Sequence, residues 1–197
     1  MARHLDLEKR EAILEAAFNA FGEGGYNNTT IKDIADVAGI APGSVYTYFE
    51  DKEDLFRNTV YEGLHTFQQE ILKIVAMPIS FDEQFNLVID FGFELFRKVH
   101  PIFQGMFSEP NRLGLFRENI ERLCDIFEEF FLEGQRLGAV ELFEENSLSK
   151  SAIRIFISGI LFHTSLIPRD DLVIEIELLK QQTKKGLAET LRFGMAG

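Results

Sequence analysis

The sequence predicts an all-α chain, with an N-terminal three-helix helix-turn-helix domain followed by a helical bundle. Three observations carry this. Apolar residues recur at steps of three and four along most segments, the period of a helix with one buried face. Glycine and proline fall between those segments, where they punctuate rather than interrupt. No segment alternates convincingly between apolar and polar residues. Val140-Glu141-Leu142-Phe143 is the nearest to a strand, and it reads better as a connecting loop.

The elements follow in order. Ala12, Ile13, Ala16, Ala17 and Phe21 place a first amphipathic helix over Leu7–Phe21, closed by the glycines Gly22, Gly24 and Gly25. Ile31, Ile34, Ala35 and Ala38 make a short second helix that Thr30 or Thr29 can cap. Pro42 suits the first turn of a third, very short helix reaching Phe49. Asp51, or Glu50 before it, opens a fourth helix to about Val75, with Asp54 in the first turn where acids favour the helix dipole. Beyond it the pattern gives Asp82–Val99, a separate piece Pro101–Phe107, then Asn111–Leu137, Ser149–Leu166 and Asp170–Phe193. Ser80-Phe81-Asp82-Glu83 and Ser147-Leu148-Ser149-Lys150 have the composition of helix entries. The expected domain boundary lies between residues 52 and 53, and the fourth helix is the only long lever expected across it.

Composition bounds the function. The 197 residues are 46% hydrophobic and 26% charged, ordinary globular usage with enough chain for a core. Met1–Lys9 lacks the apolar stretch of a secretory signal, and the single Cys124 fits a reducing compartment, so a cytoplasmic location is expected. The longest uncharged apolar run, Ile155–Ile167, is too short and too polar for a membrane span. His4, His65, His100 and His163 are scattered, without the paired spacings of a metal site. No nucleophile or phosphate-loop spacing occurs, so neither a catalytic residue, a metal nor a cofactor is expected.

Residues 25–49 carry the function. Ile34, Ala35, Ala38 and Ile40 bury the second helix and its turn, and Val45 and Phe49 bury one face of the third. Pro42, Gly43, Ser44, Tyr46, Thr47 and Tyr48 are left outward. That is a helix-turn-helix whose second helix can enter a DNA major groove. The outward hydroxyls can meet base edges or phosphates, and the tyrosine rings can lie on sugars or thymine methyls. From Gly39 to Phe49 there is no charged residue.

In residues 8–60 this sequence resembles the TetR family of transcriptional regulators. The matching elements are Ile13-Leu14-x-Ala16-Ala17 with Phe21, Gly25-Tyr26, Thr29-Thr30-x-x-x-Ile34-Ala35, Ala38-Gly39-Ile40, Gly43-Ser44-Val45-Tyr46-x-Tyr48-Phe49 and Lys52-Glu53-x-Leu55. Each piece is weak and the ordered set is specific. The resemblance implies DNA contact at Thr30, Lys32, Pro42, Gly43, Ser44, Tyr46, Thr47, Tyr48 and Lys52. Lys32 and Pro42 to Ser44 would face bases, and Tyr46, Tyr48 and Lys52 the backbone. Family members often carry Ser at the position of Ala41, which can neither cap the helix nor touch phosphate.

Charge opposes this reading. The net charge is −12 overall. Residues 1–60 hold six basic and eleven acidic side chains, net −5, far from the usual basic footprint. Few phosphates can then be neutralised, so non-specific affinity should be weak. The alternative is an all-α protein-interaction adaptor whose helix-turn-helix does not meet DNA. A helical-bundle enzyme is a further rival, for which no constellation exists.

Sixteen of the 20 phenylalanines lie beyond residue 60. A bundle lined by large flat rings is either plain core or an apolar ligand pocket. The resemblance implies that these middle helices enclose an effector site in a ligand-binding and dimerisation domain, residues 53–197. The favoured lining is Phe85, Ile89, Phe96, Phe103, Met106, Phe127 and Phe131. Arg97, Lys98 and Arg112 are candidates for an anionic ligand, and Asp90, Glu94 and Glu128 for a cationic one. The last two helices should make a homodimer. One stripe holds Ile155, Phe156, Gly159 and His163, the other Leu179, Thr183 and Leu187. The expectation is a cytoplasmic, homodimeric repressor, not an enzyme, with double-stranded operator DNA and a small-molecule effector as partners and no membrane.

Overall fold

The structure is a computed structural model. It describes residues 6–107, 113–138, 140–141, 150–167, 171–190 and 192–193. Of residues 103–107, 113, 115–116, 140–141, 150–153, 156, 165, 186–190 and 192–193 only the backbone is described. The helices are α1 (Leu7–Asn28), α2 (Ile31–Val37), α3 (Pro42–Val45), α4 (Lys52–Val75), α5 (Phe81–Phe107), α6 (Leu113–Arg136), α7 (Lys150–Ser165) and α8 (Leu172–Thr190). The fold is all-α as expected. One correction is that Val140–Glu141 is not simply loop: it pairs antiparallel with Arg192–Phe193 as a two-residue ladder, β1 with β2.

The polar residues at each boundary start the helices. Asp6 accepts from the Lys9 amide at α1. At α2 the choice between Thr29 and Thr30 resolves to Thr30. Its hydroxyl accepts from the Asp33 amide, and the Asp33 carboxylate accepts from the Thr30 amide at 2.8 Å, a capping box. Thr29 is buried and closes α1 instead, its hydroxyl donating to the Ala20 and Gly25 carbonyls at 3.0 and 2.8 Å. Asp51 caps α4 by accepting from the Asp54 amide at 2.7 Å. Ser80 and Glu83 form a second capping box at α5.

Two helix ends differ from expectation. α1 does not stop at Phe21 but stays helical through Gly24, and the break falls at Gly25, whose φ of 71° suits only glycine. α5 does not divide at His100-Pro101 but runs through Pro101. The tertiary setting explains both. A Cβ on Gly22 would lie 2.9 Å from the Lys98 carbonyl oxygen, and one on Gly25 would lie 3.6 Å from that of Pro101. The glycines therefore serve a close helix approach as well as a turn, and this packing holds the turn that Pro101 deprives of one hydrogen bond.

The chain forms two compact units. The first is Met1–His65 with Lys98–Leu115, and the second is Thr66–Arg97 with Phe116–Gly197. The first unit is thus larger than a domain ending at residue 52. Both α4 and α5 pass from one unit into the other, so α4 is not the only long covalent link. The first core gathers Ile13, Ala17, Phe21, Ile34, Val45 and Phe56. The second gathers Phe81, Phe85, Val88, Phe130, Phe131 and Ile176. Among the described residues no helix is long and apolar enough to cross a membrane.

Candidate functional site

The helix-turn-helix is set by one left-handed residue. Gly39 has φ of 69°, the Ile40 amide donates to the Ala35 carbonyl at 3.0 Å and the Gly39 amide to that of Asp36 at 3.3 Å. Those bonds close α2 in a Schellman ending. Ala41 then starts α3 with no side-chain cap, as its methyl requires. α3 is shorter than expected, with regular helix only to Val45. Beyond it the Thr47 and Tyr48 amides donate three residues back, to Ser44 and Val45, at 3.1 and 3.0 Å. The tightened turn brings Phe49 inward before α4 begins.

The facing of this segment is resolved. Val45 is 0% exposed and Phe49 3%, whereas Tyr46 is 56% exposed. Pro42, Gly43 and Thr47 are exposed, and Ser44 and Tyr48 are half-buried. Ile34 and Ala35 are fully buried, while Ala38 and Ile40 are only partly covered. On α2, Lys32 is exposed. Thr30 is exposed too, but its hydroxyl also donates to the Asp33 carboxylate at 2.7 Å. Hydrogen bonds from the Thr30 hydroxyl and amide hold the Asp33 carboxyl below the ordinary aspartate range. Lys52, expected beside a phosphate, sits with its ammonium 4.1 Å from the centre of the Tyr26 ring.

Tyr26 is the residue that sequence reading undervalued. The Gly25 break turns it back on α1, where it stacks on Phe21 at 5.8 Å and meets the edge of Phe56 at 4.9 Å. The Tyr26 ring thereby also holds the lysine that opens α4, a cation–π pairing. Arg10 plays a similar part. Its guanidinium lies 5.5 Å from the Phe49 ring and donates to Asn58 at 2.8 Å, tying α1 to both neighbours of the turn. The signal for Tyr26 was an aromatic directly after the last glycine of a run.

In the second unit Phe85, Ile89, Phe96 and Phe131 are buried and Phe127 is half-buried. Phe103 and Met106 lie on the α5 backbone, but their side chains are outside the described residues. The rings pack on one another. Phe85 is 6.3 Å from Phe131, Phe81 stacks on Phe130 at 4.9 Å, and Phe67 lies 5.7 Å from Phe91 and 6.0 Å from Phe127. Three of the charged candidates, Arg97, Glu94 and Asp90, are already engaged. Arg97 pairs with Glu94 at 3.1 Å, and Asp90 holds Lys184 at 2.7 Å and Lys180 at 3.7 Å. Glu128 is half-buried, Lys98 is exposed in the first unit, and Arg112 is outside the described residues.

The expected dimer stripes fare differently. On α7, Ile155 is 73% exposed, Gly159 and His163 are exposed, and the side chain of Phe156 is not described. Phe162 and Leu166 extend this outward apolar line. On α8 the stripe turns inward. Thr183 is 5% exposed, Leu179 is half-buried beside buried Ile176, and the Leu187 side chain is outside the described residues. The outward apolar residues of α8 are Val173, Ile174 and Leu178. Both faces of α8 carry apolar residues, so the helical period alone could not say which one the chain's own core would take.

Comparison with known proteins places this arrangement. Residues 13–59 match the model of bacterial regulatory proteins, tetR family. The chain is 24% identical over 190 residues to the uncharacterized HTH-type transcriptional regulator YhgD of Bacillus subtilis, covering 93% of this chain and 99% of that protein. It is 44% identical over 69 residues to the HTH-type transcriptional repressor BepR of Brucella suis, covering 35% and 32% of the two chains. The fold matches the transcriptional regulator FadR of Bacillus subtilis, solved in complex with stearoyl-CoA. The TM-score is 0.67 at 21% identity, over 91% of this chain and 98% of that one. Residues 13–59, with their turn at Gly39 and outward Tyr46, are thus a TetR-family N-terminal DNA-binding domain, and along nearly its whole length the chain is similar to an HTH-type transcriptional regulator.

Proposed function

We propose that the chain is a cytoplasmic, homodimeric repressor that a small, largely apolar ligand releases from its operator. The observation that carries the reading is the division of aromatic side chains. Tyr46 stands outward on the DNA-reading segment, while Phe85, Phe96 and Phe131 are buried in the other unit. DNA contact is assigned to Thr30, Lys32, Pro42, Gly43, Ser44, Tyr46, Thr47, Tyr48 and Lys52. Ligand contact is assigned to Phe85, Ile89, Phe96, Phe127 and Phe131. The domain division remains reading head first, ligand-binding and dimerisation domain second. Ile155, Gly159, Phe162 and Leu166 on α7 and Ile174 and Leu178 on α8 leave an apolar surface that a second copy would cover. A two-fold dimer holds two reading heads about one DNA turn, ~34 Å, apart. A ligand among the rings would act through α4 and α5, which run through both units.

The test begins with an operator selected from a random DNA pool. Stearoyl-CoA and free stearate are the first probes, because the structural relative was solved with stearoyl-CoA. Release is expected as a roughly 5–150-fold loss of operator affinity, with the probe bound equally more weakly when operator is present. Binding of either probe with operator affinity unchanged would refute the coupling. Gly159→Arg is expected to sediment as a monomer, since it would place an unpaired charge within the covered surface.

A further inference from the structure

The recognition segment is too short to hold its own aim. α3 has four residues and no side-chain cap, and residues 46–49 continue it only as a tightened turn. A helix this short has no independent stability. The direction of the outward Tyr46 and Thr47 is therefore set by what grips the far end of the segment. We infer that Arg10 is a positioning residue for DNA reading: from α1 it fixes the end of the recognition segment through Phe49 and through Asn58 and Asp54, without touching DNA itself. The inference rests on the operator-binding reading above.

Two grips meet at Arg10. The first is packing. Phe49 ends the segment and is buried, and the guanidinium lies 5.5 Å from its ring centre, within cation–π range. The second is a path of hydrogen bonds. The Arg10 guanidinium donates to Asn58 Oδ1 at 2.8 Å. The other end of that amide, Nδ2, donates to the Asp54 carboxylate at 3.1 Å and to the Asp54 carbonyl at 2.8 Å. The second oxygen of the same carboxylate accepts from the Glu50 amide at 3.1 Å, and the Asp54 amide donates to Asp51 Oδ1 at 2.7 Å. Glu50 and Asp51 are the residues that join Phe49 to α4. The path thus runs from α1, along the start of α4, to the junction that ends the recognition segment. Asp54 and Asn58 stand four apart and so share a face of α4. Asparagine can accept at one end and donate at the other, as this place requires. Arginine can lie flat on a ring and donate in its own plane, which lysine cannot. Arg10 and Asn58 are half-buried, where a charge-assisted bond is stronger than at an open surface. Arg57 also reaches Asp54, at 3.6 Å, but it is exposed and holds the carboxylate weakly.

Population arithmetic sets the size of the effect. A hydrogen bond to a charged group biases a local equilibrium by about tenfold or more. Without the grip, the arrangement that fits DNA is about tenfold less populated in each head, and apparent affinity falls by that fraction. A dimer that must present both heads then loses about 100-fold.

Fluorescence anisotropy of the full chain on its selected operator tests this, with circular dichroism to establish that each variant is folded at the assay temperature. Arg10→Met and the charge-neutral Asn58→Ala should each lose about 100-fold in operator affinity. The double variant should lose no more than the larger single loss, because both changes break one path. Arg10→Lys restores the charge without the planar fork and should stay well below native affinity. Should Arg10→Met fail to fold, Arg10→Lys and Asn58→Ala carry the same comparison. The slope of log K against log salt should be unchanged in Arg10→Met; flattening by about two units per dimer would make Arg10 a phosphate contact and overturn the inference. In heteronuclear NMR of the free protein, the Glu50 amide resonance should move in Arg10→Met and in Asn58→Ala, a change that a general loss of stability would not single out. Native operator affinity in the folded variants, additive losses, full recovery by lysine or an unmoved Glu50 amide each overturns the inference while leaving operator binding intact. If the selection yields no bound sequence, operator binding itself fails, and the inference with it.

Discussion

In the reading head, three rings do the work of a core. Phe21, Tyr26 and Phe56 meet at 4.9–5.8 Å, and the helices around them are short, with α2 only seven residues and α3 four. In the second unit, rings from three long helices crowd together, Phe67 from α4, Phe81 and Phe85 from α5, and Phe130 and Phe131 from α6. The head places each short element by a local device, a capping box at Thr30, a left-handed Gly39 and a proline at the start of α3. The bundle places long helices by which face each one buries. Local devices specify one conformation, whereas apolar faces specify a class of packings that can rearrange. A region that presents fixed hydrogen-bonding groups to DNA suits the first; the second would suit the ligand-responsive bundle proposed above.

The largest expected effect tests that contrast. Phe56→Ala in the head should cost roughly 3–5 kcal/mol, because its ring is fully buried. Phe85→Ala in the bundle is just as buried and should cost the same if the rings are plain core. A markedly smaller loss on chemical denaturation would mean that the bundle collapses readily, and would sharpen the case for a pocket there. Tyr46→Ala should leave stability nearly unchanged and remove tight operator binding. A fall in melting temperature as large as that of Phe49→Ala would break the assigned facing.

Glycines give the next contrast. A Cβ on Gly134 would lie 2.4 Å from the Phe81 ring, so Gly134→Ala should destabilise the bundle by about 1–3 kcal/mol. Gly159 has nothing within 4 Å of that position, and Gly159→Ala should stabilise the isolated chain by about 0.5–1 kcal/mol through helix propensity. Thermal melts of the two variants should move in opposite directions.

Smaller still are the caps. Thr30→Ala should cost about 1 kcal/mol. Asp33 and Glu83 sit in matching boxes in the two units, and hydrogen bonds from Thr30 and Ser80 hold each carboxyl below its ordinary range. A depressed folded value means that the stabilisation is complete above the unfolded pKa, near 4, and is lost as pH falls through the folded one. Stability should therefore drop below about pH 4, and Asp33→Asn should flatten part of that drop. An acid titration identical in the native chain and the variant would remove Asp33 from it.

Much of this was legible from residue order alone. Helix starts at Thr30, Pro42, Asp51 and Ser80 follow from side chains that satisfy free amides or lack one. The turn follows from the one residue type that adopts positive φ cheaply, at Gly39. The recognition face follows from Val45 and Phe49 standing four apart. These are interactions over a few residues, which the sequence displays directly. Tertiary structure decided the rest. α5 passes through Pro101 because the end of α1 packs against that turn. Thr183 turned inward while Ile174 and Leu178 stayed outward, because α8 is apolar on both faces and only its neighbours could choose between them. Lys52 lies on Tyr26, 26 residues earlier, because the Gly25 break brings that ring back to the start of α4. Distant contacts of this kind depend on how helices pack, and helical periodicity says which residues share a face without saying what the face will meet.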